Sequence, residues 1–502
     1  MFTETTNANE RPFPSMPEVK LPEIPERRFV ITEYGAVGDG VTMNTDAIAA
    51  AIEACASAGG GKVIIPAGLW LTGPIRLKSR INLHAEKGAL VVFSKNPEDY
   101  PLMRSHWEGR ESVRATPPIL GEGLEHVAIT GEGVFDGSGD AWRPVKDWKM
   151  TEGQWKALVS SGGVVDPETN IWWPDEGAMK GASAVAALDA NPAAKLDDYA
   201  PYRTFLRPVL VSLRECRYVL LEGPTFQNSP GWNLHPWACE HVTVRRVSVR
   251  NPWYSQNGDG LDLESCRYAL IEDCVFDVGD DAICMKSGKD EEGRRFGKPV
   301  EYVTVRGCTV YHGHGGFVIG SEMSGGARNI IVEDCSFIGT DVGLRFKSTR
   351  GRGGVVENIV IRGIRMKDIA GAAISFNMYY GLEEEDSAPV PVTEETPSFR
   401  SIRMEDIYCI GAKQAVELKG LPEMPIRDIE CRRMAIAADS GVQCTYGSDI
   451  RFSDVAIAPK AGAAWTVQHS SGVVLSRCRG EGGAGRLLQE PDGTASRVVV
   501  ED

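Results

Sequence analysis

Four segments of one kind decide the fold of this chain: VTVRRVSVRNP at 242–252, ALIEDCVFDVG at 269–279, VTVRGCTVYHG at 303–313 and IIVEDCSFIGT at 330–340. Each contains two short runs of alternating apolar and polar residues, separated by a polar or glycine pair and followed by a turn. Related segments begin at 127, 219, 359 and 402, and successive starts from 219 to 359 are 23 to 34 residues apart. One such unit cannot bury its own apolar face, whereas a stack of units can. The repeat therefore predicts an all-β chain folded as a right-handed parallel β-helix.

A stack of coils exposes unpaired strand edges at its ends, and these edges need a cap. The segment NTDAIAAAIEACASA (44–58) predicts a capping helix, because Asn44 or Thr45 can serve as its N-cap and three glycines follow it. We expect residues 1–27 to form an extended arm. Residues 28–502 are predicted to form a single β-helix domain.

Residues 142–200 interrupt the repeat and contain five of the 11 tryptophans of the chain. A long insertion in a solenoid emerges from one face and often takes part in function. We expect this Trp-rich segment to flank the functional groove, to pack as a flap on the coils, or to do both.

Composition narrows the classes of partner and location. The net charge of −15 argues against a nucleic acid partner. The sequence contains no run of 18 apolar residues, so it predicts no membrane-spanning helix. Residues 1–20 lack the basic and apolar regions of a signal peptide, which predicts a cytoplasmic protein, or a periplasmic or secreted one if the N-terminus was processed. The 12 cysteines show no CxxC or metal-ligand spacing, which favours reduced core thiols over disulfides.

Four short motifs follow or occupy predicted strands in the middle of the chain. They are Asn257-Gly258-Asp259, Gly279-Asp280-Asp281, Gly313-His314-Gly315 and Arg345-Phe346-Lys347. Neighbouring motifs are separated by 21 to 34 residues, or about one coil each. Equivalent positions in adjacent coils lie about 4.7–4.9 Å apart. The spacing therefore predicts that the motifs share one groove, with a loop at 288–298 absorbing the longest interval.

The residue types of these motifs fit the hydrolysis of a glycosidic bond beside an anionic sugar. Carboxylates that share a groove repel one another, so at least one keeps a proton to donate while another activates water. Asp280 and Asp281 can share a site only through a turn, which Gly279 permits. Arg345 and Lys347 point to one side of a strand, where they can bind an anion such as a sugar carboxylate.

These motifs, in this order, resemble those of the polygalacturonases of glycoside hydrolase family 28. NSPGWNLHP (228–236) and ITEYGAVGDG (31–40) extend the resemblance over most of the chain. It implies hydrolysis, with inversion, of α-1,4-linked galacturonate in pectin without a metal or cofactor. One departure is Gly258, which replaces the threonine of the common Asn-Thr-Asp motif.

The resemblance also implies roles for the motif residues. Asp280 resembles the general acid, and Asp259 and Asp281 resemble the pair that activates water. His314 would support the acid, while Arg345 and Lys347 would hold the galacturonate carboxylate. We also predict substrate contacts by Asn257, by Lys286 and by Tyr379 or Tyr380.

The sequence alone leaves several alternatives open for the function. The insertion and the absence of a visible secretion signal favour exo-cleavage of oligogalacturonides over endo-cleavage. Another uronide-bearing chain, such as rhamnogalacturonan, is an alternative substrate. Two other classes share the fold: a Ca²⁺-dependent pectate lyase and a non-catalytic carbohydrate-binding solenoid. The oligomeric state is not encoded in any of these patterns.

Overall fold

The computed structural model describes residues 15–382, 388–481, 485–491 and 493–501. It is a right-handed parallel β-helix, as the repeat predicts. Each coil contributes up to three strands, and each strand pairs in parallel with its equivalents in the neighbouring coils. We name the three resulting sheets faces A, B and C, in the order in which the chain passes through them.

The strand bounds follow the coils. Face A contains Arg28–Val30, Gly61–Ile65, Ile81–Ala85, Glu125–Gly131, Arg217–Glu222, Glu240–Arg245, Arg267–Glu272, Val300–Arg306, Ala327–Glu333, Ser471–Ser476 and Val499–Glu501. Face B contains Asp39–Met43, Gly68–Thr72, Ala89–Phe93, Val134–Asp136, Thr225–Gln227, Ser248–Arg250, Val275–Asp277, Thr309–Val310, Ser336–Ile338 and Arg479–Gly480. Face C contains Ile75–Arg76, Ile119–Glu122, Val211–Arg214, Leu234–Trp237, Leu261–Glu264, Asp281–Lys286, Gly315–Ile319, Leu344–Lys347, Trp465–Gln468 and Leu488–Gln489.

Four longer strands turn the corners between faces without a break. Val355–Asn377, Ser398–Lys419 and Ile426–Thr445 cover all three faces, and Gly447–Pro459 covers faces A and B. Five shorter strands stand outside the coils. They are the antiparallel pair Leu102–Trp107 and Arg110–Ala115, and a small sheet of Val145–Lys146, Val164–Asp166 and Ile171–Trp173.

Like residues stack on like in the interior, because the register between coils is kept. On face A, Val244 lies between Leu221 and Ile271. On face C, the rings of Phe346 and Phe376 stack with centroids 4.1 Å apart. All 12 cysteines are free thiols and 11 of them are buried, so the prediction of reduced core thiols is confirmed.

The helices lie at one end of the coils and in the insertions. The α-helices are Thr45–Ser57, Glu152–Ser160, Glu176–Asp189 and Asp290–Phe296, and the 3₁₀ helices are Ile31–Tyr34, Pro97–Asp99, Gly139–Ala141, Asp147–Lys149 and Leu196–Tyr202. The first α-helix is the predicted cap, since its apolar side, including Ile48 and Ile52, is buried. Asn44 precedes it but does not cap it with its side chain, which instead bonds to the backbone of Val37, Thr42 and Leu71.

Two other predicted segments can be located. The loop expected at 288–298 contains the helix Asp290–Phe296. Of the predicted arm, residues 1–14 lie outside the described residues, and residues 15–27 form no regular secondary structure. The backbone N–H groups of Lys20 and Glu23 donate to Nδ1 of His241 and His126, which fixes this stretch to the side of the coils. Among the helices of the described ranges, none is long and apolar enough to cross a membrane.

Candidate active site

The four motifs meet where the chain turns from face B into face C. Backbone hydrogen bonds link successive coils at this corner: Gly260 N–H donates to the carbonyl of Asp281, and His314 N–H donates to that of Asp280, both at 2.9 Å. Arg345 occupies the next strand of face C, in register with Val318. The intervals of 21 to 34 residues are therefore single coils, as the spacing predicts.

Three carboxylates converge at this corner. Asp259, Asp280 and Asp281 each offer an oxygen within 4.8 Å of the others. Asp259 and Asp281 are buried and Asp280 is half-buried. Asp280 accepts a hydrogen bond from the N–H of Asp281 at 2.9 Å in the predicted turn. Gly279 is required there, because a Cβ would stand 2.3 Å from the hydroxyl of Ser255.

Two cations hold Asp281 from the neighbouring coils. Nζ of Lys347 lies 2.7 Å from one carboxylate oxygen, and Nη1 of Arg345 lies 3.3 Å from the other. Burial lowers the pKa of Lys347, but the neighbouring charges, first among them Asp281, together outweigh burial and leave the pKa raised. The two predicted clamp residues therefore already have an anion within the protein.

Asp280 pairs with His314, whose Nδ1 lies 3.0 Å from the carboxylate. Burial works against the charged form of Asp280, but the hydrogen bond and charge of His314 outweigh it and lower its pKa. The same hydrogen bond raises the pKa of His314. In the free protein, therefore, the shared proton of this pair resides on the imidazole.

Among the three carboxyl groups that converge at this corner, Asp259 is the one with a raised pKa. Burial is the main cause, and the charges of Asp280 and Asp262 add to it. One oxygen of Asp259 is enclosed without a hydrogen-bond partner. The raised pKa therefore belongs to Asp259 and not to Asp280, and burial contributes more to it than repulsion among the carboxylates does.

A second layer of charge lies directly beside the first, and sequence reasoning missed most of it. Lys286, a predicted substrate contact, is buried, with its Nζ 2.8 Å from Glu322 and 3.6 Å from Asp262. Burial and the neighbouring acids raise the pKa of Asp262 despite the lysine. Oε2 of Glu264 lies 2.8 Å from Nε2 of His235. The alternation Leu261-Asp262-Leu263-Glu264 is the signal that could have found two of these groups.

The other predicted substrate contacts divide into two groups. Tyr380 is exposed beside the cations, with its ring centroid 4.9 Å from Nζ of Lys347. Tyr379 is buried and lines a separate cavity of about 310 Å³ further along face C, together with Lys419 and Tyr446. Asn257 accepts a hydrogen bond at 3.0 Å from Arg207, which ties it to the wall of the groove.

A β-hairpin that the sequence analysis did not single out closes one end of the groove. Its strands Leu102–Trp107 and Arg110–Ala115 lie over face C on the Asp259 side of the site. Trp107 stacks on Trp232 with centroids 5.0 Å apart, and His106 stacks on Trp237 at 4.1 Å.

The tip of this hairpin is fastened to the helix Asp290–Phe296. Arg110 forms an ion pair with Asp290, and the N–H of Glu111 donates to Glu292 at 2.7 Å. The N–H of Lys289 donates to the carbonyl of Gly109 at 3.0 Å. The helix inserted between two motifs therefore supports the wall that closes the groove.

The Trp-rich insertion is partly a buried support and partly a wall of the site. Trp142 and Trp172 are buried, whereas Trp148 is 65% exposed. Tyr199 and Val185 of the insertion pack against Val113 of the hairpin. Burial lowers the pKa of Lys149, while the charges of Asp280 and Asp341 act in the opposite direction. A role of the insertion in flanking the groove stays a prediction.

Two groups of side chains have the composition of a cation site within the described ranges. One is the triad Asp259, Asp280 and Asp281, and the other is His106, Glu111 and Glu292. In the triad, Asp281 and Asp280 already bind protein cations or an imidazole.

Comparisons with known proteins agree with this geometry. The family model for glycosyl hydrolases family 28 matches residues 145–450. A probable polygalacturonase from Vitis vinifera is 29% identical, and the match covers 80% of this chain and 72% of that protein. An exo-poly-alpha-D-galacturonosidase from Dickeya chrysanthemi is 26% identical, and the match covers 84% of this chain and 68% of that protein. The crystal structure of a hyperthermoactive exopolygalacturonase from Thermotoga maritima superposes with a TM-score of 0.74 at 33% identity, covering 88% of this chain and 94% of that one.

Proposed function

Because the chain belongs to glycosyl hydrolase family 28, we propose that this glycoside hydrolase cleaves the α-1,4 bonds between galacturonate residues of pectic oligosaccharides. The observation that carries the proposal is the convergence of Asp259, Asp280 and Asp281 with two cations from adjacent coils. The names of the relatives support the substrate class.

The proton reaches the leaving oxygen through the pair of Asp280 and His314. A general acid must hold a proton near the working pH and lie within hydrogen-bond reach of the leaving group. His314 holds that proton in the free protein and lies 3.0 Å from Asp280. A bound glycosidic oxygen displaces water from this pair, which favours the neutral carboxylic acid over the ion pair and moves the proton to Asp280.

Asp281 is the carboxylate that activates water, with Asp259 as its neighbour. Lys347 and Arg345 both contact Asp281 and so hold its carboxylate in place. We propose inversion at the anomeric carbon, which rests on the family resemblance. Retention is the other stereochemical outcome that a pair of carboxyl groups can give. Proton NMR of the first product anomer decides between the two outcomes.

The closed end of the groove supports exo-cleavage. The stacked Trp107 and Trp232 stand on the Asp259 side of the site, where a longer sugar chain would have to continue. On the other side, face C continues through five more coils, with Asn377 and Lys419 in register with Lys347. We propose that the non-reducing end of the substrate lies against the closed end and that the leaving chain extends along the open side.

Product analysis tests both parts of the proposal. Oligogalacturonides labelled at the reducing end should release unlabelled monomer or dimer first, with little loss of viscosity on long polygalacturonate. A rapid fall in viscosity with mixed oligomers would contradict exo-cleavage. Rhamnogalacturonan, assayed in parallel, tests the alternative substrate, and unsaturated products absorbing in the ultraviolet would identify a lyase. We also propose a cytoplasmic location, which cell fractionation tests.

A further inference from the structure

Arg114 is a buried guanidinium on the closing hairpin, and it lies in the wall at the closed end of the groove. Its residue is 8% exposed, and its Cζ stands 4.2 Å from the ring centroid of Trp107. The indole of Trp107 also stacks on Trp232, which in turn has Nζ of Lys286 at 4.8 Å from its ring centroid. The guanidinium thus packs on one of two stacked indole rings.

Within the described ranges, the guanidinium of Arg114 has neither a hydrogen-bond acceptor nor a carboxylate within 4.0 Å. Its Nε is enclosed without a partner, whereas its two terminal nitrogens are not among the enclosed atoms. These terminal nitrogens are the donors that could form a fork with a carboxylate. Glu108 and Asp189 are the nearest acids that influence it, both beyond ion-pair distance.

A second buried guanidinium lies behind the first. The Cζ of Arg207 stands 5.9 Å from the centroid of the same Trp107 ring. Its nitrogens donate to the carbonyls of Pro230 and Gln256 and to Oδ1 of Asn257, and none of these three acceptors is anionic. Asn257 lies two residues before Asp259, which places both guanidinium groups beside the catalytic corner.

Two buried like charges are costly unless an anion joins them. Burial and the charge of Arg207 together lower the pKa of Arg114 to about 9. A galacturonate chain carries one carboxylate on every sugar, and the proposed exo-cleavage places a terminal sugar at this end of the groove. Planar carboxylates fit the fork of an arginine better than any other common anion of this size.

Resting on the proposed function, we propose that Arg114, backed by Arg207, binds the carboxylate of the terminal, non-reducing galacturonate and so fixes the register of cleavage. This contact is separate from Arg345 and Lys347, which lie on the open side and bind Asp281. Arg114 is a specificity-determining residue, because it distinguishes a terminal uronate from a terminal neutral sugar.

The test compares two trigalacturonates, one native and one whose non-reducing-terminal carboxylate is reduced to an alcohol. For the wild type, the reduction should lower kcat/KM by about 10- to 100-fold, which is the range for a charge-assisted hydrogen-bonded pair. For Arg114→Gln, kcat/KM on the native substrate should fall by the same factor, and the two substrates should then react at equal rates. Arg114→Lys should retain part of the discrimination, because it keeps the charge but loses the fork.

Arg104→Gln is the matched control, since Arg104 lies on the same hairpin but is exposed. It should discriminate as the wild type does. If Arg114→Gln discriminates as strongly as the wild type, the assignment is wrong even though the enzyme is a galacturonidase. If the wild type turns over neither galacturonide, the proposed function fails and the assignment falls with it. Should Arg114→Gln not fold, unchanged discrimination by Arg114→Lys, a folded variant, would overturn the assignment.

Discussion

The closed and open ends of the groove on face C are built from different kinds of chain. The closed end consists of segments outside the repeat, chiefly the hairpin at 102–115 and the insertion after residue 142, held by indole stacking and buried guanidinium groups. The open end consists of regular coils, in which Lys347, Asn377 and Lys419 follow one another in register. The difference shows that the repeat supplies the chemistry, while the insertions decide how a substrate chain can enter.

The largest effect is expected at the catalytic corner. Asp280→Asn should lower kcat by about 10³- to 10⁴-fold, because it removes the carboxyl that passes the proton to the leaving oxygen. Steady-state kinetics on trigalacturonate measure this loss. Asp277→Asn, three residues earlier and partly exposed beside His312, should stay near the wild type. A fully active Asp280→Asn variant would contradict the conclusion that the regular coils supply the catalytic groups.

The next effect concerns where the stability of the molecule resides. Phe346→Ala should lower the free energy of unfolding by about 3–5 kcal/mol, because a fully buried ring in the stack with Phe376 leaves a cavity. Urea titration followed by circular dichroism measures it. Trp148→Ala in the insertion should change the stability by less than about 0.5 kcal/mol, since that side chain is exposed. Equal losses in the two variants would contradict the division between coils and insertion.

Opening the closed end should change the products more than the rate. Trp107→Ala removes the indole between Arg114 and Trp232 and should lower kcat/KM for release of the terminal sugar by about 2- to 10-fold, the range for one aromatic pair. Longer oligomers should then appear among the early products of polygalacturonate. Chromatography of those products checks this, with Trp253→Ala, an exposed tryptophan, as control. An unchanged product pattern would show that the hairpin is not the barrier.

The smallest effect is a shift in one titration. NMR of His314 should give a pKa above the ordinary value of about 6.5, because of its hydrogen bond to Asp280, and Asp280→Asn should bring the pKa down. With the pKa of His314 raised and that of Asp280 lowered, this pair stabilises the protein fully between about pH 4 and about pH 6.5. The stabilisation is lost as the pH rises through the folded-state pKa of His314 or falls through that of Asp280. A pKa that Asp280→Asn leaves unchanged would assign the shift to another neighbour.

The regular part of the molecule could be predicted because its information is local. The alternation of apolar and polar residues in segments such as 242–252 and 269–279 indicates which side chains face inward. A constant register between coils then determines which side chains stack on one another. The motif spacing brought Asp259, Asp280 and His314 to one corner for the same reason. The capping helix was also predictable from its own residues, although Asn44 bonds to neighbouring backbone in place of capping.

The closed end could not be predicted, because the contacts that form it join distant parts of the chain. Arg110 and Asp290 are 180 residues apart, and no local pattern near either one indicates the other. The assignment of protons was also out of reach. The pKa of each carboxyl depends on its burial and on its distances to His314, Lys347 and Lys286. Differences of a few ångströms in burial and distance decide these effects, and the sequence does not give them.

The sequence by itself determined the β-helix, the set of catalytic groups and their common corner, since periodicity and spacing follow from backbone geometry alone. Only the tertiary structure decided which of these groups is charged, that Lys286 is paired with Glu322, and that a hairpin closes one end of the groove. The physical reason is that charge and access depend on what surrounds a side chain, and in a solenoid with insertions those surroundings come from segments far away in the chain.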